Sequence, residues 1–191
     1  MPQYTDSTEL TWNYTESGGS ATIGTGGGWQ DPGNATTLGT DLSGAITIPS
    51  TVDGYTVTGI DGYAFYNCTN LTSIDLSGTQ VETIGLSAFL LCSSLTSVDL
   101  SGTQVTTIGN GAFARTGLTS ITFPTNPLFT TIGSQAFQEC SSLTSITIPD
   151  SVTTIGLYAF KNCTSLTSIT IPDSVTTIGN YAFYNCNQLT S

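Results

Sequence analysis

A chain of 191 residues with 38% hydrophobic content can enclose one core, yet only Arg115 and Lys161 oppose thirteen carboxylates, for a formal net charge of -11. Such a balance excludes the phosphate neutralisation that nucleic-acid binding requires, and docking on anionic membranes with it. There is no histidine, so the usual general base and the commonest transition-metal ligand are both missing, and no run approaches the roughly 18 apolar residues of a membrane span.

The first 42 residues do not repeat and read as an N-terminal cap. Residues 10–14 and 21–23 are predicted strands of a hairpin around the Gly18-Gly19 pair, while 24–28 and 31–34 read as loops. Trp12 or Trp29 is expected to cover the first coil. Met1-Pro2-Gln3 does not open a signal peptide, so the chain as given is expected to be soluble. Its scarcity of lysine and wealth of Thr, Ser, Asn and Gly fit an exported protein whose signal was removed, or a piece of a longer one.

From residue 43 onward a unit of about two dozen residues recurs. A degenerate copy spans 43–70, and further copies begin at Leu71, Leu95, Leu118, Leu143 and Leu166 at steps of 23 to 25, with a seventh opening at Leu189. A period in this range marks a solenoid, in which no unit buries its apolar face until neighbours stack on it. The expected organisation is therefore a cap over 1–42 and six coils plus a truncated seventh over 43–191.

The coil from Leu143 illustrates the unit. Ile146 and Ile148 alternate with Thr147, the period of a strand with one buried face. Pro149 ends that strand because it has no N–H to continue a ladder. Val152 and Ile155 bracket a second short extended segment, and Gly156 is expected at a tight turn of positive φ, where Asp61 takes its place in the first coil. Ala159, Phe160 and Cys163 then follow within too few residues for a long helix, which predicts one short helical or 3₁₀ turn on the outer side. Stacked equivalents form ladders: Phe65, Phe89, Phe113, Phe137, Phe160 and Phe183 as a spine, and Ala64, Ala88, Ala112, Ala136, Ala159 and Ala182 leaving room beside it.

The run from Leu143 to Gly156, followed by Ala159-Phe160 and Cys163, resembles the BspA-type leucine-rich repeat, and the likeness extends over residues 43–191. The resemblance implies an α/β repeat solenoid, rich in β structure: a curved stack with a parallel sheet on its concave side, short outer strands and 3₁₀ or helical turns. It also implies a cell-surface or secreted protein engaged in adhesion, and it supplies no invariant binding residue to carry over. Three coils depart from the pattern. Those at Leu71 and Leu95 replace the Pro turn with Ser77-Gly78-Thr79-Gln80 and Ser101-Gly102-Thr103-Gln104, and the coil at Leu118 has a longer loop, Pro124 to Pro127. The Leu95 coil also lacks the cysteine near Arg115-Thr116-Gly117. Irregular curvature is expected there.

Cys68, Cys92, Cys140, Cys163 and Cys186 share one repeat position. Neighbouring coils at about 5 Å would permit disulfides, but the odd count and the interruption at the Leu95 coil favour buried free thiols over disulfides or metal. Asp75 and Asp99 occupy equivalent outward positions at roughly the separation of a retaining glycosidase pair, yet repetition alone produces such a pair and nothing splits their acidity. A shared calcium site with Ser73 and Ser97 is chemically open but lacks a loop rich in oxygen ligands. Asp150 and Asp173 read as solvated. No catalytic residue, metal site or cofactor is therefore assigned.

The remaining candidate is the concave row. Thr72, Ser73, Asp75, Thr96, Ser97, Asp99, Thr119, Ser120, Thr122, Thr144, Ser145, Thr147, Thr167, Ser168 and Thr170 are expected to face outward, acidic at one end and neutral at the other. Such a row shields a sheet from water by itself, and it could also dock a protein or glycan; an ice-binding array would need a flatter, more regular surface. Partly exposed tyrosines at 63, 66, 158, 181 and 184 either cover the Phe spine or mark an interface. Asn13, Asn34, Asn67, Asn70 and Asn162 open Asn-x-Ser/Thr triplets, which arise freely in a Thr-rich chain. The expected function is non-enzymatic binding of a protein or glycan partner, with no nucleic acid and no membrane insertion. The alternative is a structural spacer that self-associates end to end through its last coil.

Overall fold

A computed structural model describes residues 2–24, 35 and 39–190. Trp29, Asn34 and the predicted loops at 25–28 and 31–34 lie outside the described residues. Three strands open the chain: β1 (Gln3–Thr5), β2 (Thr11–Ser17) and β3 (Ser20–Ile23). A single 3₁₀ turn, Gly39–Asp41, leads into β4 (Ser43–Thr47), β5 (Thr51–Val52) and β6 (Tyr55–Ile60). Thereafter each coil contributes two short strands: β7 (Asn70–Asp75) and β8 (Thr83–Ile84), β9 (Ser97–Asp99) and β10 (Thr107–Ile108), β11 (Ser120–Thr122) and β12 (Thr131–Ile132), β13 (Ser145–Thr147) and β14 (Thr154–Ile155), β15 (Ser168–Thr170) and β16 (Thr177–Ile178). The result is a β-solenoid of about six turns, and among the described residues no coil contains a helix.

That absence corrects the α/β and helical-turn part of the expectation, and the hydrogen bonds give the reason. A helix satisfies its amides within itself, whereas here alternate amides of the outer turn reach the next coil. Tyr63 N–H donates to Leu86 O at 2.9 Å, Phe65 N–H to Ala88 O at 2.8 Å and Asn67 N–H to Leu90 O at 2.8 Å. The amides between them close three-residue turns inside the coil, such as Tyr66 to Tyr63 O at 3.0 Å and Cys68 to Phe65 O at 3.2 Å. Two left-handed residues per coil re-aim the backbone for this. The first is Tyr63, Ser87, Gly111, Gln135, Tyr158 or Tyr181, and the second Asn67, Leu91, Arg115, Glu139, Asn162 or Asn185, with φ between 52° and 67°. Only one of these twelve is glycine, although a side chain in this region costs about 1 kcal/mol; the inter-coil bonds offset it.

The conserved-looking glycine of each unit has a different role from the one expected. Gly85, Gly109, Gly133, Gly156 and Gly179 are not in the positive-φ region, nor is Asp61. Instead, a Cβ on Gly156 would meet Ser134 N at 2.5 Å and Gly133 C at 2.7 Å, and one on Gly179 would meet Leu157 N at 2.5 Å. The glycines form a column in which successive coils touch backbone to backbone.

Pairing also differs from one uniform concave sheet. The second segments build the longer sheet, which runs β1-β2-β3-β6-β8-β10-β12-β14-β16, with β5 attached to β6. The first segments form two pieces, β11-β9-β7-β4 and β13-β15. The break falls after the Pro124–Pro127 loop, where Phe123 and Phe129 turn inward, stacked at 5.6 Å, and displace the coil from strict repetition. Leucine, isoleucine and valine ladders from both sheets meet the Phe spine in a continuous core. Successive spine rings lie 4.9 to 5.6 Å apart and within 8° of parallel from Phe65 through Phe183, offset stacking that a one-residue shift of any coil would lose.

At the N-terminal end β2 and β3 form the expected hairpin, closed by Gly18 and Gly19 at φ 62° and 88°, the two left-handed positions of a tight turn. β3 then pairs in parallel with β6 and so joins the cap to the longer sheet. Trp12 is fully buried in the core, and its indole donates to Asp6 Oδ2 at 2.7 Å. β1, which the sequence reading did not foresee, pairs antiparallel with β2.

Candidate binding face

Each first segment enters from a buried leucine, and its inward residue is buried (Ile74, Val98, Ile146) or half-buried (Ile121, Ile169) while its neighbours face water. Thr72, Asp75, Thr96, Ser97, Asp99, Thr119, Ser120, Thr122, Thr144, Ser145, Thr147, Thr167, Ser168 and Thr170 are all exposed, and Ser73 is half-buried. Register aligns them into ranks: Ser73, Ser97 and Ser120 in one, Asp99 and Thr122 in the next, and, beyond the break, Ser145 with Ser168 and Thr147 with Thr170. The row is thus two patches, with the acidic end confined to the first.

Two of its groups are already partly engaged. Asp75 Oδ1 accepts the Ser77 amide at 2.8 Å, and Asp99 Oδ1 accepts the Ser101 amide at 2.9 Å. Each carboxylate closes the Ser-Gly-Thr-Gln turn that stands in for proline, as Asp does in such turns. The amide and hydroxyl of Ser101 hold Asp99 below the ordinary carboxylate range. The same turns bury Thr79 and Thr103, whose hydroxyls donate to Leu76 O and Leu100 O at 2.7 Å. Threonine also ties coils together. The Thr119 hydroxyl donates to Thr96 O at 3.1 Å, and that of Thr167 to Thr144 O at 3.0 Å. What remains free for a partner is chiefly the serine rank, Thr122, Thr147 and Thr170, and the outer carboxylate oxygens.

The cysteines belong to the core. All five are free and buried, and four thiols donate to the spine phenylalanine carbonyl of the preceding cysteine-position turn, Cys92 to Phe65 O at 3.0 Å, Cys140 to Phe113 O at 3.1 Å, Cys163 to Phe137 O at 3.2 Å and Cys186 to Phe160 O at 3.1 Å, while Cys68 donates to Gly39 O at 3.6 Å. Burial pushes the Cys68 thiol up to about 12 and that of Cys140 to about 11, so neither is a nucleophile. In the coil without cysteine, Thr116 takes its position and its hydroxyl donates to Phe113 O at 2.8 Å. Its place three residues after the spine phenylalanine could have revealed the substitution in the sequence. Among the described residues, no three Cys, Asp or Glu gather as a metal site.

On the outer turns Tyr158 and Tyr181 stack at 5.4 Å, and Lys161 lies 4.8 Å over the Tyr158 ring. Tyr181 and Tyr184 are 59% and 56% exposed, whereas Tyr63, Tyr66 and Tyr158 are half-buried. The long sheet carries a second hydroxyl rank that the sequence reading did not single out: Thr83, Thr107, Thr131, Thr154 and Thr177, aligned by register. Its signal was the Thr-Ile pair before every repeat glycine.

With this geometry in view, the comparisons with known proteins are specific. The family model of the BspA type leucine rich repeat region matches residues 43–129 and 130–191 in six copies. A leucine-rich repeat protein from Bacteroides ovatus is 33% identical, with a TM-score of 0.64, over 76% of this chain and 36% of its own length. A leucine rich cell surface protein from Faecalibacterium prausnitzii is 29% identical, with a TM-score of 0.59, over 100% of this chain and 54% of its own. The T. pallidum leucine rich repeat protein, at 22% identity and a TM-score of 0.71 over 98% of this chain and 91% of its own, shares the fold. The chain therefore spans about a third to a half of the length of the first two. No curated protein matches. That family model covers well over half of the chain, which belongs to the BspA-type leucine-rich-repeat family.

Proposed function

We propose that the chain is a non-enzymatic binding module, displayed at the cell surface or secreted, that holds a protein or glycan partner on the Ser97, Asp99, Ser120, Thr122, Ser145, Thr147 and Thr170 face. The observation that carries this reading is the two patches of exposed hydroxyls aligned by register, which leave donors and acceptors at the spacing of paired strands and engage none of them in the core. The cell-surface relative from Faecalibacterium prausnitzii supports the location. The test is capture on arrays of matrix proteins and glycans, comparing the wild type with a variant carrying Asp99→Lys, Thr122→Lys and Thr147→Lys. Capture should fall at least tenfold while the circular dichroism spectrum stays the same; equal capture refutes the reading.

A further inference from the structure

We propose that the groove between the cap and the first coil takes an extended basic peptide as an added strand on β4. The groove encloses about 650 Å³, within the usual range of ligand sites. Its apolar floor is made by Tyr4, Leu10, Leu42 and Ile46, and one long wall is β4 itself.

The hydrogen-bond alternation of a strand decides which backbone groups face that groove. Ile48 N–H donates to Asp75 O at 2.9 Å, toward β7. Residues of the same parity face β7, and Ala45 and Thr47 therefore direct both N–H and C=O to the opposite side. There β4 is the last strand of its sheet, and among the described residues those groups meet no partner. The N-terminal hairpin joins the other sheet through β3 and β6, and among the described residues no strand pairs with this edge. An unpaired strand edge, with its amide and carbonyl pairs repeating every second residue, is completed by an extended polypeptide.

Charge selects the sequence of that peptide. Asp6 beside the groove is saturated: Oδ1 accepts from the Thr8 amide at 2.8 Å and the Thr8 hydroxyl at 2.6 Å, and Oδ2 from Trp12. Glu9 and Asp41, adjoining groove residues Leu10 and Leu42, are exposed, as is Asp75, in register with Thr47. Arg115 and Lys161 lie on outer turns of later coils. The field at this end is uniformly negative and rewards lysine or arginine flanking an apolar strand.

The probe is a fluorescein-labelled octapeptide of alternating threonine and valine with a lysine at each end, followed by fluorescence anisotropy. Binding should weaken at least tenfold when glutamates replace the lysines, when alternate amides of the probe are N-methylated, and when the protein carries Thr47→Pro, which removes the outward donor without touching a native bond. Asp173→Lys, the same change of charge on an exposed turn of a later coil, should leave it unchanged. No binding of the lysine probe at millimolar concentration, or equal binding of the N-methylated probe, overturns the proposal irrespective of how the Thr47→Pro variant folds.

Discussion

Replacing Gly156 with alanine isolates the physical basis of the coil stacking. The added Cβ would stand 2.5 Å from Ser134 N, 2.7 Å from Gly133 C and 2.8 Å from Ser134 Cα. All three are backbone atoms, so no rotamer change makes room. Relief to ordinary contact requires the two coils to part by nearly 1 Å at this point. That movement stretches the bonds from Gly156 N–H to Ile132 O at 2.9 Å, from Gln135 N–H to Leu157 O at 2.8 Å and from Phe137 N–H to Ala159 O at 2.8 Å. With about 1 kcal/mol for each weakened bond, the expected loss is about 3 kcal/mol, the scale of an overpacked core. Gly102→Ala is the control, because its Cβ meets nothing within 4 Å and its φ is ordinary; its effect should stay within about 0.5 kcal/mol. Gly78, at φ 73° in open space, should cost about 1 kcal/mol from backbone strain alone. Urea denaturation followed by circular dichroism measures all three. If Gly156→Ala costs no more than Gly102→Ala, close approach is not why these glycines recur.

Other outcomes follow from single contacts. The thiols should resist a disulfide reagent at pH 8 in the native protein, because burial raises them well above that pH, and all five should react in guanidinium. Tyr14 donates to Asp53 Oδ2 at 2.6 Å, and that bond raises its phenol to about 12; a raised tyrosine contributes stability fully below its unfolded value near 10, which is lost as pH climbs through about 12. Tyr14→Phe should therefore lower stability at neutral pH and flatten the alkaline limb of a pH–stability curve. Asp6 is shifted the other way: burial opposes its charge, but bonds from Thr8, Trp12 and Leu10 hold it below the ordinary carboxylate range. Its contribution is present above that range and disappears as pH falls through the lower folded value, so acid should release the Trp12 fluorescence shift only below the pH at which an ordinary carboxylate protonates, and Asp6→Ala should abolish that step. Breaking the exposed Arg115–Glu139 pair, 2.8 Å apart, with Glu139→Gln should change the midpoint by less than about 0.5 kcal/mol.

The sequence by itself determined the period, the inward ladders and the outward row, because alternation and repeat length act locally and every coil restates them. Phe65 through Phe183 and the Ser/Thr positions fell where their spacing placed them. Tertiary structure alone decided the rest. Gly156 looks like a turn glycine from its neighbours in the chain, and only the coil stacked against it, 22 residues back at Ser134, shows that it is a contact glycine. The outer turn has helix-compatible residues, yet Phe65 and Asn67 donate across coils, a choice that exists only once another coil is present to accept. The same holds for the break between β11 and β13 and for the open edge of β4. These features depend on which backbone lies 5 Å away, and that distance is set by stacking, not by any run of residues.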